Sequence, residues 1–364
     1  MMTNRHSIPV TVLTGFLGSG KTTVLNRLLS DSRLSDTAVI INEFGEIGLD
    51  HLLVTHSTEN LIVLNNGCLC CTVRGDLVQT LCELEMKVSS GEIPPFRRVV
   101  IETTGLADPA PILHTLMADP AVTPRWHLEG VIATVDAVNG AHTLVAHEEA
   151  LKQAAVADRI LLTKSDIASA DELTAVRYQL RGIAPGTPII ETIDGTVDPA
   201  AILAVGLYDA AGKIADVRHW LLREQQNDGR NIAHHHNHAG HGKAADHPHD
   251  VNRHDDRIRA HCIIVEEPVS WTSFSYWLEL LAAMRGEQML RVKGIVAVSD
   301  HPEQPLVIHG VQHVFHPPVK LERWPSADRR TRVVFITRDL QIEELEHTLR
   351  KFGKADRVSA LAVP

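Results

Sequence analysis

The hydrophobic positions of the N-terminal half form short buried runs separated by longer amphipathic stretches. Runs rich in Val, Ile and Leu predict strands at 10–14, 38–41, 61–64, 99–102, 130–135 and 159–163. Stretches such as 22–29 and 173–182 have the spacing of amphipathic helices. Strands buried on both faces lose polar alternation, and helical crossovers make neighbouring strands parallel. The pattern therefore predicts a doubly wound, mostly parallel α/β domain.

The pattern weakens after Gly206, and regular patterning resumes only at Ile258. Between them, residues 227–257 are almost without apolar side chains and carry eight histidines, so this segment is predicted to be a flexible linker. Beyond it, strands are predicted at 261–265, 295–298 and 333–337, and helices at 273–284 and 342–352. This arrangement favours a smaller α+β domain. The predicted boundaries are 1–215, 216–257 and 258–364.

Composition and charge exclude several classes of function. The 364 residues are 44% hydrophobic and 22% charged, which excludes a disordered or collagen-like chain. A formal net charge of -10 argues against broad binding to nucleic acid or to anionic membranes. No apolar run approaches the roughly 20 residues of a spanning helix, and the N-terminal run is too short for a secretory signal. We therefore expect a cytoplasmic protein.

A glycine-rich loop follows the first predicted strand and opens into a helix. Its sequence is Gly15-Phe16-Leu17-Gly18-Ser19-Gly20-Lys21-Thr22, which fits the phosphate-binding pattern G-x-x-x-x-G-K-[ST]. Glycines let successive N–H groups turn toward phosphate oxygens, and the helix N-terminus adds positive potential. The loop predicts a nucleoside triphosphate site in which Lys21 binds phosphate and the Thr22 hydroxyl binds Mg²⁺. The candidate nucleotide contacts here are Gly15, Gly18, Ser19, Gly20, Lys21, Thr22 and Thr23.

A carboxylate ends the predicted strand 99–102. Glu102 lies at the carboxyl end of a core strand, where open α/β sheets bind ligands. It can face the Mg²⁺ directly or through water, so Lys21 and Glu102 are the candidate catalytic residues. Gly105 can bring its N–H to the γ-phosphate without a side chain in the way.

A third motif, Thr163-Lys164-Ser165-Asp166, follows the strand 159–163. In GTPases an N-K-x-D motif at this place binds guanine, which Asp166 recognises through base hydrogens that adenine lacks, while the stem of Lys164 covers the ring. Thr163 stands where Asn is usual, so a contact to neighbouring loops is expected to be shorter. A plain helix-capping turn is the alternative.

Three cysteines lie within four residues, at Cys68, Cys70 and Cys71. Thiolates bind zinc and other borderline divalent ions strongly, and three local thiols leave one position of a tetrahedral ion open for exchange. Glu46 or a histidine could complete the site. Buried thiols or a redox pair are the alternatives.

Taken in order, TGFLGSGKTT, INEFGEIGLD, NNGCLCC, VVIETTGLADP and LLTKSD resemble the CobW-type P-loop GTPases, which are metallochaperones. LRVKGIVAV and LVIHGVQHVF resemble the family's second domain. The resemblance implies slow GTP hydrolysis coupled to loading a metal, Zn²⁺ or else Co²⁺ or Ni²⁺, for a client metalloprotein. It also implies that Lys21, Thr22 and Glu102 act on phosphate and magnesium, and that Lys164 and Asp166 bind guanine. Whether the protein forms a homo-oligomer is left open.

The histidines of the linker are a second candidate metal-binding segment. Imidazoles on a flexible tether can capture divalent ions weakly and concentrate them near a tighter site. The alternative is a solvated spacer. The candidate metal ligands in this segment begin with its first four histidines, which are His234, His235, His236 and His238.

The remaining cysteines and His261 are assigned to packing. Cys82, spaced like a residue on a helix face, is expected in the core, and His261 and Cys262 are expected to pack within a strand.

Two other functions compete with the metallochaperone. One is a metal-storage or metal-sensing protein in which hydrolysis is vestigial. The other, a small-molecule kinase, is disfavoured by the Thr163–Asp166 motif and by the lack of a second substrate motif.

Overall fold

A computed structural model of the protein describes residues 7–41, 73–203, 258–352 and 358–363. Its first sheet has six strands, all parallel, in the order β2-β3-β1-β4-β5-β6. The strands are β1 (Ile8–Gly15), β2 (Thr37–Ile41), β3 (Arg98–Glu102), β4 (Trp126–Asp136), β5 (Arg159–Thr163) and β6 (Ile189–Glu191). The predicted strand 61–64 lies outside the described residues.

Helices cover both faces of this sheet. They are α1 (Lys21–Leu29), α2 (Val73–Ser90), α3 (Ala110–Ala118), α4 (Gly140–Ala146), α5 (Glu148–Val156), α6 (Ala170–Ile183) and α7 (Pro199–Leu203). On one face Val12 belongs to a core with Leu81 of α2 and Leu113 of α3. On the other face Leu13 packs with Leu25 of α1. The doubly wound α/β architecture is therefore confirmed.

Strand β4 begins four residues before the predicted start at residue 130. His127 and Glu129 interrupt the apolar run, but they are only half-buried and alternate with the buried Trp126 and Leu128. The first part of the strand thus follows the period of two that a half-buried strand requires.

Cys82 does not lie in the core, so that prediction is wrong. The thiol is exposed on α2, whose buried side is formed by Leu77, Leu81 and Leu84. Each helical residue turns by about 100° from the previous one, so Cys82 is rotated away from Leu81. The apolar spacing around Cys82 was therefore assigned to the wrong side of the helix.

The C-terminal sheet is antiparallel and separate from the first, which confirms the α+β prediction. Its strands are β7 (Ile258–Val265), β8 (Met289–Val296), β9 (Leu306–Val311), β10 (Val314–Phe315), β11 (Val319–Lys320), β12 (Thr331–Arg338) and β13 (Val358–Val363). Two helices, α8 (Trp271–Arg285) and α9 (Ile342–Phe352), pack on it around Phe274, Trp277 and Phe335. His261 and Cys262 are buried in β7, as expected of packing residues. None of the described helices is both long and apolar enough to cross a membrane.

Strand β8 begins six residues before the predicted start at residue 295. Arg291 and Lys293 interrupt its apolar pattern, yet Arg291 is buried because both cations form ion pairs with Asp158 of the first domain. A charged pair across a domain boundary leaves no local signal in the sequence.

Candidate nucleotide-binding site

The loop between β1 and α1 has a shape that requires glycine at its two ends. Gly15 has a φ of 143°, and a Cβ there would lie 2.2 Å from the Thr134 hydroxyl oxygen. Gly20 has a φ of 89° and immediately precedes α1. L residues with side chains rarely adopt these conformations. The backbone therefore makes a tight turn that leads directly into the N-terminus of α1, where positive potential favours anions.

Lys21, the first residue of α1, closes this loop. Its Nζ donates hydrogen bonds to the main-chain oxygens of Gly15 at 3.0 Å and Phe16 at 3.1 Å. The side chain is largely buried. The ammonium group is thus held against the loop that carries the turned N–H groups.

Thr22 and Glu102 meet at the carboxyl edge of the sheet. The Thr22 hydroxyl donates to Glu102 Oε1 at 3.0 Å, and Glu102 is only 4% exposed. Strand register places Glu102 beside the end of β1, because Leu13 of β1 pairs with Glu102 of β3. The loop that follows β1 then leads to Thr22 at the start of α1. Hydroxyl and carboxylate oxygens are the hard ligands that Mg²⁺ prefers, so this donor set fits the ion.

Three other predicted nucleotide contacts, Gly105, Gly18 and Thr23, lie in or beside the glycine loop. Gly105 is buried against the loop, since a Cβ there would lie 2.6 Å from the Leu17 nitrogen. Gly18 has a positive φ of 68°. Thr23 is exposed on the outer side of α1.

A chain of buried hydroxyl groups supports the loop, and sequence reasoning missed it. The Ser19 and Thr134 hydroxyls are 2.6 Å apart, and the Thr103 hydroxyl donates to that of Thr14 at 2.9 Å. Thr134 Oγ1 also donates to the Thr14 main-chain oxygen at 3.3 Å. The available signal was the recurrence of threonine at or near the carboxyl ends of β1, β3, β4 and β5.

The Thr163–Asp166 motif begins beside the loop. Lys164 has a φ of 58°, and its Nζ donates to Asp136 Oδ2 at 2.7 Å. Burial alone would raise the pKa of Asp136, but the bonds from Lys164, Asn139 and nearby main-chain N–H groups hold it below its ordinary value. Asp166 is exposed in the turn that follows. Asp136 was not among the predicted site residues, because only the folded chain brings it to Lys164.

A cavity of about 260 Å³ lies between the loop and Lys164. The residues around it include Phe16, Leu17, Ser19, Asp136, Asn139 and Lys164. It combines apolar walls with a few polar groups, as small-molecule sites do.

The predicted transition-metal ligands lie outside the described residues: Glu46, Cys68, Cys70, Cys71, His234, His235, His236 and His238. Within the described ranges, no group of three or more His, Cys, Asp or Glu side chains could hold a metal ion.

The parallel sheet, the glycine loop and the Lys21–Thr22–Glu102 arrangement define a P-loop nucleotide-binding protein. Residues 9–191 match the family model "CobW/HypB/UreG, nucleotide-binding domain", and 258–353 match "Cobalamin synthesis protein cobW C-terminal domain". The chain belongs to the CobW/HypB/UreG family, which confirms the resemblance seen in its motifs.

Known relatives extend this similarity to nearly the whole chain. The zinc chaperone YjiA of Escherichia coli (strain K12) is 32% identical over 343 residues, covering 93% of this chain and 97% of that protein. Zinc-regulated GTPase metalloprotein activator 1 of Schizosaccharomyces pombe is 34% identical over 198 residues, covering 52% of this chain and 47% of that protein. The crystal structure of Zn(II)-bound YjiA GTPase from E. coli matches with a TM-score of 0.67 and 25% identity, over 95% of this chain and 99% of that one.

Proposed function

We propose that this chain, a P-loop GTPase, couples GTP hydrolysis to the binding of a transition metal ion and its delivery to a client metalloprotein. The observation that carries the proposal is the convergence of Lys21, Thr22 and Glu102 at one edge of the sheet. A zinc chaperone spans 93% of this chain, and a zinc-regulated GTPase metalloprotein activator spans 52% of it, which supports the metal-linked part.

In this proposal the glycine loop holds the triphosphate. N–H groups from Gly15, Gly18 and Gly20 face the phosphates, as do those of Ser19 and Thr23. Lys21 contacts the β- and γ-phosphates and stabilises the charge that develops during transfer.

Thr22 and Glu102 hold Mg²⁺, and Gly105 offers its N–H to the γ-phosphate. When bound there, Mg²⁺ would neutralise the negative charge that develops on the phosphates. The donor set supports this assignment, because a hydroxyl and a carboxylate lie 3.0 Å apart beside the loop.

Guanine is selected by the Thr163–Asp166 motif. Asp166 accepts hydrogen bonds from the base, and the stem of Lys164 covers its ring. The Asp136 contact, at 2.7 Å, holds the Lys164 ammonium beside the cavity described above.

The metal ion is the cargo of the cycle, and its ligands are Cys68, Cys70 and Cys71 with Glu46 or a histidine. Zn²⁺ is the first candidate and Co²⁺ or Ni²⁺ the others, because thiolate and imidazole accept all three. The linker histidines gather ions weakly and pass them to the thiolates. A reducing, cytoplasmic location is part of the proposal, since three neighbouring cysteines must stay as thiolates to bind the ion.

A metal titration in three nucleotide states tests the coupling. The full chain is titrated with Zn²⁺ against a chromophoric chelator without nucleotide, with GDP, and with a nonhydrolysable GTP analogue and Mg²⁺. Coupling between sites is typically about 5- to 150-fold, so we expect tighter binding in the analogue state by a factor in that range.

The variant that carries Cys70→Ser and Cys71→Ser should lose the nucleotide-dependent part and keep the weak background. Cys82→Ser is the matched control, because this thiol is exposed on α2 and should change neither component. Equal affinity of the tight site in all three states would contradict the proposal and favour a metal-storage protein.

A further inference from the structure

Helix α5 holds both ends of the loop that follows Glu102. Gln153 is buried, and its Nε2 donates to the main-chain oxygens of Gly105 at 3.1 Å and Ala107 at 3.0 Å. Lys152 immediately precedes Gln153, and its Nζ lies 3.2 Å from Asp108 Oδ2. The stretch 105–108, called here the sensor loop, is therefore fixed to α5 by the hydrogen bonds of Gln153 and the ion pair of Lys152.

The same region of the chain contacts the phosphate loop. The His147 ring, immediately before α5, stacks on Phe16 with centroids 4.4 Å apart. The sensor loop itself touches the phosphate loop, since Gly105 approaches Leu17 too closely for a Cβ. The phosphate loop, the sensor loop and the start of α5 therefore form one continuous set of contacts.

The other side of α5 packs against the C-terminal domain. Leu151 and Ala155 are buried in one apolar cluster with residues from β7, β8 and β12, which are Ala260, Leu290 and Ile336. Because protein interiors are close-packed, a displacement of α5 would be transmitted across such a contact.

Charged contacts reinforce this side. Glu148 forms an ion pair with Arg338 of β12. Just beyond α5, the main-chain oxygen of Ala157 accepts a hydrogen bond from Arg291, and Asp158 pairs with the same guanidinium. The helix is thus tied to the second domain at both of its ends.

Two polar atoms near the sensor loop are buried without a hydrogen-bond partner among the described residues: Thr104 Oγ1 and Gln153 Oε1. Buried polar groups in folded proteins nearly always have partners. A bound water or a small shift of the loop would supply the missing partners.

We propose that Gln153 is a positioning residue that links the γ-phosphate to the C-terminal domain: it fixes the sensor loop and, through α5, transmits the nucleotide state to β7, β8 and β12. This inference rests on the proposed GTPase cycle, and it adds the route by which that cycle reaches the second domain.

The test measures nucleotide affinity and hydrogen exchange in the full chain with Gln153→Leu. A purely structural defect would weaken GDP and GTP analogue alike, whereas a sensor-loop defect should act only where a γ-phosphate is present. We expect GDP affinity to stay within about twofold and GTP-analogue affinity to fall about tenfold, within the usual range of coupling between sites. Wild type should show analogue-dependent changes of amide protection in α5 and in β7, β8 and β12. The variant should lose the changes in the three strands.

Gln79→Leu is the matched control, because Gln79 is exposed on α2 and bonds only to Glu83 among the side-chain contacts described. If Gln153→Leu does not fold, Asp108→Asn weakens the Lys152 contact from the loop side, keeps an oxygen for the Ala110 N–H, and should shift the same two measurements in the same direction. The inference would be overturned if Gln153→Leu lost the same affinity for GDP as for the GTP analogue. It would also be overturned if the variant kept the analogue-dependent changes of amide protection in β7, β8 and β12. A wild type that binds no GTP would overturn the proposed function itself, so the two failures are distinguishable.

Discussion

The Thr163 hydroxyl donates a hydrogen bond to the main-chain oxygen of Ser19 at 2.7 Å. It also lies 3.2 Å from the Val135 oxygen, and Thr163 is buried. The end of β5 is thereby joined directly to the phosphate loop. GTPases usually have asparagine at this position. Here Thr163 makes the polar contact to the neighbouring loop that the sequence predicts.

Thr163→Val should therefore weaken both folding and GTP binding. Valine keeps the shape but leaves the Ser19 oxygen without this donor, and an unpaired buried polar group costs about 1–3 kcal/mol. We expect the free energy of unfolding in urea to fall by that amount. Thr174→Val is the control, since its hydroxyl bonds within the exposed side of α6. Similar losses of unfolding free energy in both variants would show that the Thr163–Ser19 hydrogen bond stabilises the protein no more than an exposed one does.

Lys21→Ala should remove most of the hydrolytic activity. Lys21 holds the loop through two main-chain oxygens and, in the proposed cycle, stabilises the transferring phosphoryl group. Loss of a major electrostatic stabiliser costs about a hundredfold or more in kcat. Phosphate release measures the effect, and circular dichroism checks the fold. Lys87→Ala, near the end of α2, should retain full activity. Unchanged turnover in a folded Lys21 variant would assign the activity to another site.

The exposed carboxylate of Asp166 should decide between guanine and adenine. Sites built to bond a polar group reject analogues that lack it, so we expect wild type to prefer GTP over ATP by about tenfold or more. Asp166→Ala should bring the two affinities close together, measured by competition against a fluorescent GDP. Asp171→Ala, in the first turn of α6, should keep the preference. A preference that survives in the Asp166 variant would mean that guanine is read elsewhere.

The His-rich stretch 233–254 can be tested by deletion. Its composition includes few apolar residues, so little stabilising core is lost and the melting temperature should hardly change. The number of weakly bound Zn²⁺ ions should fall, while the tightest site remains. A competition titration measures both classes of site. Loss of the tightest site would place the principal ligands in this stretch and not at the cysteines.

Local patterns were sufficient for elements whose apolar residues all face the core. Strand β5 and helix α9 have the bounds that the sequence predicts. The starts of β4 and β8 were missed because Glu129 and Lys293 lie within those strands as charged residues. For Lys293 the partner is Asp158, which is distant in sequence, so no periodicity could include it.

The same distinction applies to the candidate site. Lys21 and Thr22 are predicted from one short motif and Glu102 from its place at the end of a core strand, and the structure brings Thr22 and Glu102 into contact. Asp136 and Gln153 were not found, because each reaches the site only through tertiary contact with a residue many positions away. Motifs thus predict the candidate ligand-binding groups, whereas the residues that contact and orient those groups depend on the folded chain.

Acid should weaken the contact between the two domains through Asp158. This carboxylate is 2% exposed and pairs with Arg291 and Lys293, the latter at 2.7 Å. Burial alone would raise the pKa of Asp158, but the charges of Arg291, Lys293 and His309 hold it well below the ordinary value. A carboxyl whose pKa is lowered by folding stabilises the protein above its unfolded pKa of about 3.9, and that stabilisation is lost as the pH falls toward the folded value.

Asp158→Asn should accordingly destabilise the protein most at neutral pH. The substitution leaves two cations without their buried partner, and breaking a buried ion pair in this way costs about 3–5 kcal/mol. We expect the difference in unfolding free energy between wild type and variant to be constant from pH 7 to about pH 5 and to shrink below about pH 4, where the wild-type carboxyl loses its advantage. Urea unfolding at a series of pH values measures it. Glu303→Gln removes an exposed partner of Arg329 and should cost about 1 kcal/mol or less. A difference for Asp158→Asn that is as small as this control, or that grows as the pH falls, would mean that the Asp158 charge does not hold the domains together.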